Sequence, residues 1–142
     1  VRELYDYVHS DDFQSALDDQ GAAGISNGAI GLLDEVANGK ITGEEDWWSG
    51  TDMWDFAANV EGSEMAYSLV ADLAARTDEG KALASEIEDG YAALKADRAT
   101  YGSLEDGFVT YSELTDDDRR VLTDDINTLA EPLSQLTATI LE

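Results

Sequence analysis

The chain has 142 residues, 43% of them hydrophobic, with 32 acidic and 8 basic side chains and a formal charge of −24. That is enough apolar content for one domain with a real core, and too much negative charge for nucleic acid or anionic lipid to be a partner. Cysteine is absent, which excludes disulfides, thiol catalysis and zinc–thiolate sites, and no apolar run approaches the ~18 residues of a membrane span.

Residues 1–9 read as a helical tail with Leu4 and Val8 in phase. Because Val1 opens in mid-helix, with no initiator methionine or signal peptide, the chain reads as a piece of something longer. Residues 11–24 read as a weakly periodic connection with one short turn around 13–17. Residues 25–38 are a predicted helix with Ile25, Ala29, Leu32, Leu33 and Val36 inward and Gly39 as its stop.

A long helix is predicted from Gly50 or Thr51 to about Arg76, because Met53, Phe56, Val60, Tyr67, Val70 and Ala74 share one stripe at 100° per residue. Asp78 is the expected cap of a helix to about Thr100 with Leu83, Ile87, Tyr91 and Leu94 on its apolar face. After a loop over 101–113, Thr115 caps a last helix whose Leu122, Ile126, Leu129, Leu133, Leu136 and Ile140 alternate spacings of four and three. That seam keeps its phase through Pro132, where a kink is expected. Four substantial amphipathic helices with short loops predict an all-α antiparallel bundle, one domain over 1–142, with 1–24 as a partial helix and connection.

The stretch 40–62, KITGEEDWWSGTDMWDFAANVEG, holds six carboxylates and all three tryptophans. Asp52, Asp55 and Asn59 run along the edge of the apolar stripe, so the inward side of that helix is polar at its start and apolar afterwards. Buried carboxylates need a metal, a cation or hydrogen-bond donors. Ser49 and Asp52 have the spacing of a capping box, which accounts for Asp52 but not for Asp55 and Asn59 beyond the first orphan amides.

Two other features carry less. DGFVTYSE at 106–113 matches the second half of a calcium loop, but the first ligand positions would be Gly102 and Leu104, which bear no side-chain oxygen. The single histidine, His9, stands at a helix end, where the dipole favours it. No nucleophile set and no phosphate loop is visible.

The segments ISNGA and LLDEV, then KITGEED, TDMWDFAANVEGS, DGFVTYSEL and LAEPLSQL, in that order over about 25–137, resemble the imelysin-like family. Within it they are most similar to the EfeO-type branch of iron-uptake lipoproteins. The resemblance implies helical bundle halves, an extracytoplasmic place at the cell surface or in the periplasm, a lipid anchor on a segment absent from this chain, and work with a membrane iron permease. It implies iron or another divalent cation as cargo, held by Glu44, Glu45, Asp55 and Asn59 with Ser49 as local organiser. The family's His-x-x-Glu motif is absent, since His9-Ser10-Asp11-Asp12 differs in its fourth residue. Gly50 stands where the motif carries a histidine. The chain therefore resembles the C-terminal half of such a domain, whose N-terminal half would be its partner and would complete the site.

Three functions follow as expectations. The first is a cation-binding module of an iron-uptake lipoprotein. The second is a metallopeptidase, which the family's peptidase label implies, although catalytic zinc usually takes histidine among about three protein ligands. The third is a structural half-bundle with no site of its own.

Aspartate outnumbers glutamate 19 to 13 and lysine is limited to Lys40, Lys81 and Lys95, a surface of halophilic type. At molar salt the Debye length shrinks to about 3 Å and screens the self-repulsion. Helical circular dichroism should therefore fall as salt is lowered from molar to millimolar. A spectrum and melting temperature unchanged across that range would remove the halophilic reading.

Overall fold

The computed structural model describes residues 2–43 and 46–142, Lys40 by its backbone alone. Its last and longest helix begins where Thr115 and Asp118 satisfy each other: Thr115 Oγ1 accepts from the Asp118 amide at 3.2 Å, and Asp118 Oδ2 accepts from the Thr115 amide at 2.8 Å. This is the reciprocal capping expected of Thr115. The helical elements are α1 (Arg2–Val8), α2 (Asp11–Glu35), α3 (Asp52–Ser68), α4 (Ala71–Ala74), α5 (Asp78–Arg98) and α6 (Asp116–Leu141). Among the described residues the only strands are β1 (Gly102–Ser103) and β2 (Gly107–Phe108), a two-residue antiparallel hairpin. The all-α expectation holds.

Helix α2 packs on α3 and α6, and α5 packs on α6. Phe56, Val60, Leu83, Ile87, Leu94, Leu122, Ile126, Leu129, Leu133 and Leu136, the core expected from periodicity, are all buried. Each such side chain withdrawn from water contributes roughly 1.5–3 kcal/mol. Helix α6 runs on through Pro132 even though proline removes one helical donor. Leu129, Leu133 and Leu136 on either side are fully buried, so unwinding there would expose the seam.

Four boundaries and one inward position depart from expectation. Residues 11–24 are helical, because Ser10 caps them by accepting from the Phe13 amide at 3.2 Å while Asp11 and Asp12 occupy the first turn. Weak periodicity there reflects exposure: α2 is broken at Gly21 (φ 54°), and its buried residues all lie beyond that break. Gly39 does not end the helix in a left-handed cap. The path widens into a π-helical turn, Val36–Lys40, closed by the Ile41 amide on the Val36 carbonyl at 3.1 Å, and the left-handed glycine is Gly43.

The long central helix stops at Ser68. Val70 and Leu73 donate to carbonyls three residues back, Tyr67 and Val70, and α4 follows as a separate turn. Thr77, not Asp78, caps α5, accepting from the Gly80 amide at 3.0 Å. Ile25 is exposed, and the buried residue beside it is Ser26, whose hydroxyl meets Thr137 Oγ1 on α6 at 2.8 Å.

A polar link crosses the core. Ser63 Oγ donates to the Ala29 carbonyl at 2.6 Å and lies 2.6 Å from the Tyr91 hydroxyl, tying α3 to both α2 and α5. Burial pushes the Tyr91 hydroxyl up to about 12, so it stays a neutral donor at any physiological pH. Lys95 bridges to Glu64 at 2.6 Å and Arg98 reaches Glu61 at 3.5 Å. These partly exposed pairs add about 0–1 kcal/mol each.

A carboxyl pair sits between α5 and α6. Burial first, then hydrogen bonding and charge from Asp97, then the charge of Asp124, push Asp125 up to about 6. The folded state thus holds this proton more tightly than the unfolded chain, where the ordinary value is 3.8. Its stabilising contribution is complete below about pH 4 and is lost as pH rises through about 6. Asp125→Asn should raise the melting temperature at pH 7 and flatten its pH dependence between 4 and 6. Thermal melts of both proteins across that interval check it.

Candidate loop–helix site

Two left-handed glycines shape the loop that leads into α3. At Gly43 (φ +69°) a side chain would run into the Tyr111 ring, and at Gly50 (φ +67°) the carbonyl accepts from the Tyr111 amide at 2.9 Å. Tyr111 Oη in turn donates to the Ile41 carbonyl at 3.1 Å. The loop is thus wrapped around one aromatic side chain of the α5–α6 connection. Only glycine takes these backbone angles without strain.

Asp46 organises the inner turn. Its carbonyl accepts from the Gly50 amide at 2.6 Å and from Ser49 Oγ at 3.3 Å, and its Oδ2 accepts from Thr51 Oγ1 at 2.7 Å. Ser49 Oγ lies 2.9 Å from Thr51 Oγ1, so its bonds run within the turn, to Asp46 and Thr51. The Ser49–Asp52 capping box does not form. Thr51 occupies the cap position with no side-chain bond to the helix, and Asp52 turns inward, 1% exposed, where Oδ1 accepts from the Asp46 amide at 3.2 Å. Among the described residues, Asp52 Oδ2 has no hydrogen-bond partner.

Asp52 forms part of the wall of a cavity of about 270 Å³ shared with Trp47, Trp48, Thr110, Tyr111 and Ser112. Trp47 and Trp48 are 68% and 87% exposed, with ring centroids 4.3 Å apart. Trp54 belongs to the scaffold instead, edge-on to Phe108 of β2 at 5.5 Å, with Arg98 5.8 Å over the far ring.

The residues expected to hold a cation are distributed as follows. Asp55 and Asn59 are half-buried on α3, one turn apart, and Asp55 is engaged in an interaction. Glu44 and Glu45 lie outside the described residues. Among the described residues, no group of three or more His, Cys, Asp or Glu side chains is placed to hold a metal ion. Asp52, read as a cap from the sequence, is the most deeply buried carboxylate of the block. The signal was its place on the edge of the apolar stripe, which outweighed the capping spacing.

The resemblance to a calcium loop dissolves at Glu113. Its Oε2 accepts from the Thr110 amide and from Thr110 Oγ1, both at 2.9 Å, and these bonds hold the carboxyl below its ordinary value. His9 Nδ1 lies 2.8 Å from the Tyr5 carbonyl, with the two rings stacked at 4.2 Å, the helix-end role expected of it.

With the helices and the acidic junction in place, comparison with known proteins is decisive. The model of the imelysin family (peptidase M75) matches residues 1–136. The chain belongs to the imelysin family. It is similar to the iron uptake system component EfeO of Yersinia pseudotuberculosis serotype I (strain IP32953), 41% identical over 112 residues. It is similar as well to the iron uptake system component EfeO of Escherichia coli (strain K12), 42% identical over 112 residues. Each match takes in 79% of this chain and 29% of the relative, so the chain spans under a third of the length of these curated relatives.

The imelysin loop of this chain is specific about residue 50. A side chain there would have to adopt φ near +67°, which costs an L-residue roughly 1–2 kcal/mol, while its Cβ would meet Thr110 at an ordinary contact distance of 3.5 Å. Gly50→Ala should lower stability by about 1–2 kcal/mol, whereas Gly28→Ala, inside α2 with nothing near its added methyl, should raise it by about 0.5–1 kcal/mol. Urea titration of the two variants checks the opposite signs.

Proposed function

We propose that this chain is part of an extracytoplasmic iron-uptake component and that the acidic block at the start of α3 holds the iron cargo. The observation that carries this reading is the polar N-terminal end of an otherwise apolar stripe: Asp55 and Asn59 are half-buried there, with Glu44 and Glu45 shortly before them in the sequence. Carboxylate and amide oxygens suit a hard or borderline cation such as iron. The likeness to iron uptake system components supports the choice of cargo. A net charge of −24 would raise the local cation concentration around the block.

The set is incomplete in this reading, and the remainder of the protein supplies the rest. Helix α1 buries none of its residues, leaving Leu4, Tyr5 and Tyr7 exposed. A cavity of about 690 Å³ lies between α2 and the α3–α4 turn, lined by Leu17, Ile25, Leu69, Val70 and Leu73. Such apolar surface suits a packed partner. The curated relatives have more than two-thirds of their length outside the matched stretch, in which a covering half-domain would lie. A membrane iron permease would receive the cargo, and anchoring would fall to a lipid-bearing segment outside this chain. No described helix is long and apolar enough to cross a membrane. The peptidase reading rests on the family label alone.

The test is iron titration of the longer parent protein. Asp55→Ala with Glu45→Ala should weaken iron binding by tenfold or more, and the 142-residue chain alone should bind more weakly than the parent. Unchanged affinity in the double variant would return the acidic block to capping and solvation.

A further inference from the structure

A glycine that follows asparagine or aspartate opens the chain to an internal reaction, because no side chain shields its nitrogen from the side-chain carbonyl carbon before it. The chain holds four such pairs: Asn27-Gly28, Asn38-Gly39, Asp89-Gly90 and Asp106-Gly107. Three stand in helical backbone, Asn27-Gly28 in α2, Asn38-Gly39 in the π-helical turn and Asp89-Gly90 in α5. The reaction closes a ring in which Cβ and the next nitrogen are eclipsed about the Cα–C bond, and helical backbone, with ψ of about −42°, keeps them far from that arrangement. Tertiary contacts hold each of the three there. Thr137 Oγ1 donates to Asn27 Oδ1 at 2.8 Å, and Asn38 Nδ2 donates to the Asp34 carbonyl at 2.8 Å. Gly90 lies so close to α6 that an added Cβ would fall 2.9 Å from Leu129.

Asp106-Gly107 is placed differently. It closes the β1–β2 hairpin, with Leu104, Glu105 and Asp106 exposed in the turn and Gly107 at φ +93°. The strands are two residues long, so little backbone pairing has to open before Asp106 can rotate, whereas the helical pairs must first undo a packed helix. Asp106 is tied to Ser103, whose Oγ accepts from its amide at 3.0 Å and donates to its Oδ2 at 3.3 Å. We propose that Asp106-Gly107 is a site of spontaneous backbone modification, at which Asp106 is converted to isoaspartate.

The Gly107 nitrogen attacks the side-chain carboxyl carbon of Asp106 and gives up its proton. A carboxyl C–O bond breaks as the C–N bond forms, and water leaves. Water then adds back to the cyclic imide, and where it cleaves the original backbone C–N bond the chain runs on through the side chain. Nothing is oxidised or reduced, no reactant other than water takes part, and the mass is unchanged. The backbone of the hairpin is one methylene longer afterwards. Phe108 stands edge-on to Trp54 at 5.5 Å with Arg98 5.8 Å from its ring centre, and a Cβ on Gly107 would lie 3.8 Å from the Trp54 ring. Modification therefore displaces the contact that β2 makes with α3 and α5. The site is independent of the iron reading, since none of its residues is assigned to iron.

The test stores the 142-residue chain in molar salt, with its helical spectrum monitored, and locates isoaspartate by fragmenting its peptides in a mass spectrometer and by enzymatic methylation of the isoaspartyl carboxyl. In mildly acidic buffer isoaspartate is expected at position 106, and its growth should be matched by a new indole N–H resonance of Trp54 in NMR. Asp106→Asn removes the difference between carboxyl and carboxamide, because three Asn-Gly pairs then compete in one molecule at neutral pH. Position 106 should lose ammonia about tenfold or more faster than Asn27 and Asn38 in the folded protein, and the difference should vanish in urea. The longer parent protein carries the same measurements where the 142-residue chain loses its helical spectrum. The proposal is overturned if the folded protein forms no isoaspartate at 106 over a storage time in which the urea-unfolded chain does. Equal rates at the three positions of the folded variant, or a difference that persists in urea, would overturn it as well.

Discussion

A chain carrying −24 holds together because the apolar seam of α6 is continuous. Leu122, Leu129, Leu133 and Leu136 are fully buried and Ile126 nearly so, and this one helix is packed by both α2 and α5. Hydrophobic attraction is short-ranged and indifferent to charge, while the repulsion among surface carboxylates is long-ranged and falls with salt. The seam therefore sets the fold, and the ionic surface sets the conditions under which it is stable. Where acids intrude between helices, as Asp125 does beside Asp97, the protein binds a proton more tightly and gives it up only as pH rises through about 6.

The candidate site inherits its rigidity from the same arrangement. Helix α3 is fixed by Phe56 and Val60 in the core and by the Ser63 link to Tyr91 and Ala29. Its N-terminal end then has to meet the α5–α6 connection, and Tyr111 does so by bonding to both Gly50 and Ile41. Residues 41–43 and 46–51 are consequently held from two sides, and Asp52 at the start of α3 is buried as a by-product. Backbone packing holds Asp52 inside, where its Oδ1 accepts from the Asp46 amide.

Periodicity carried the helical core because burial of a stripe is a property of the helix itself. All ten expected core residues are buried for that reason. Helix ends were read less well, since Thr77 against Asp78, or Gly39 against Gly43, depends on which of several competent residues the tertiary contact selects. Residues 11–24 escaped notice because α2 buries nothing before its break, and an exposed helix leaves only its caps in the sequence.

The sequence by itself determined the class of fold, the family, the core positions and the location of the acidic block, because each is written in local spacing and composition. Tertiary structure alone decided what the block does with its acids. Ser49 and Asp52 satisfy a capping pattern on paper, yet the path forced by Gly43, Gly50 and Tyr111 sends Asp52 inward and gives the cap position to Thr51. The deciding contacts join residues 41–52 to 110–112, and a pairing across that distance in the chain has no signature in either segment alone.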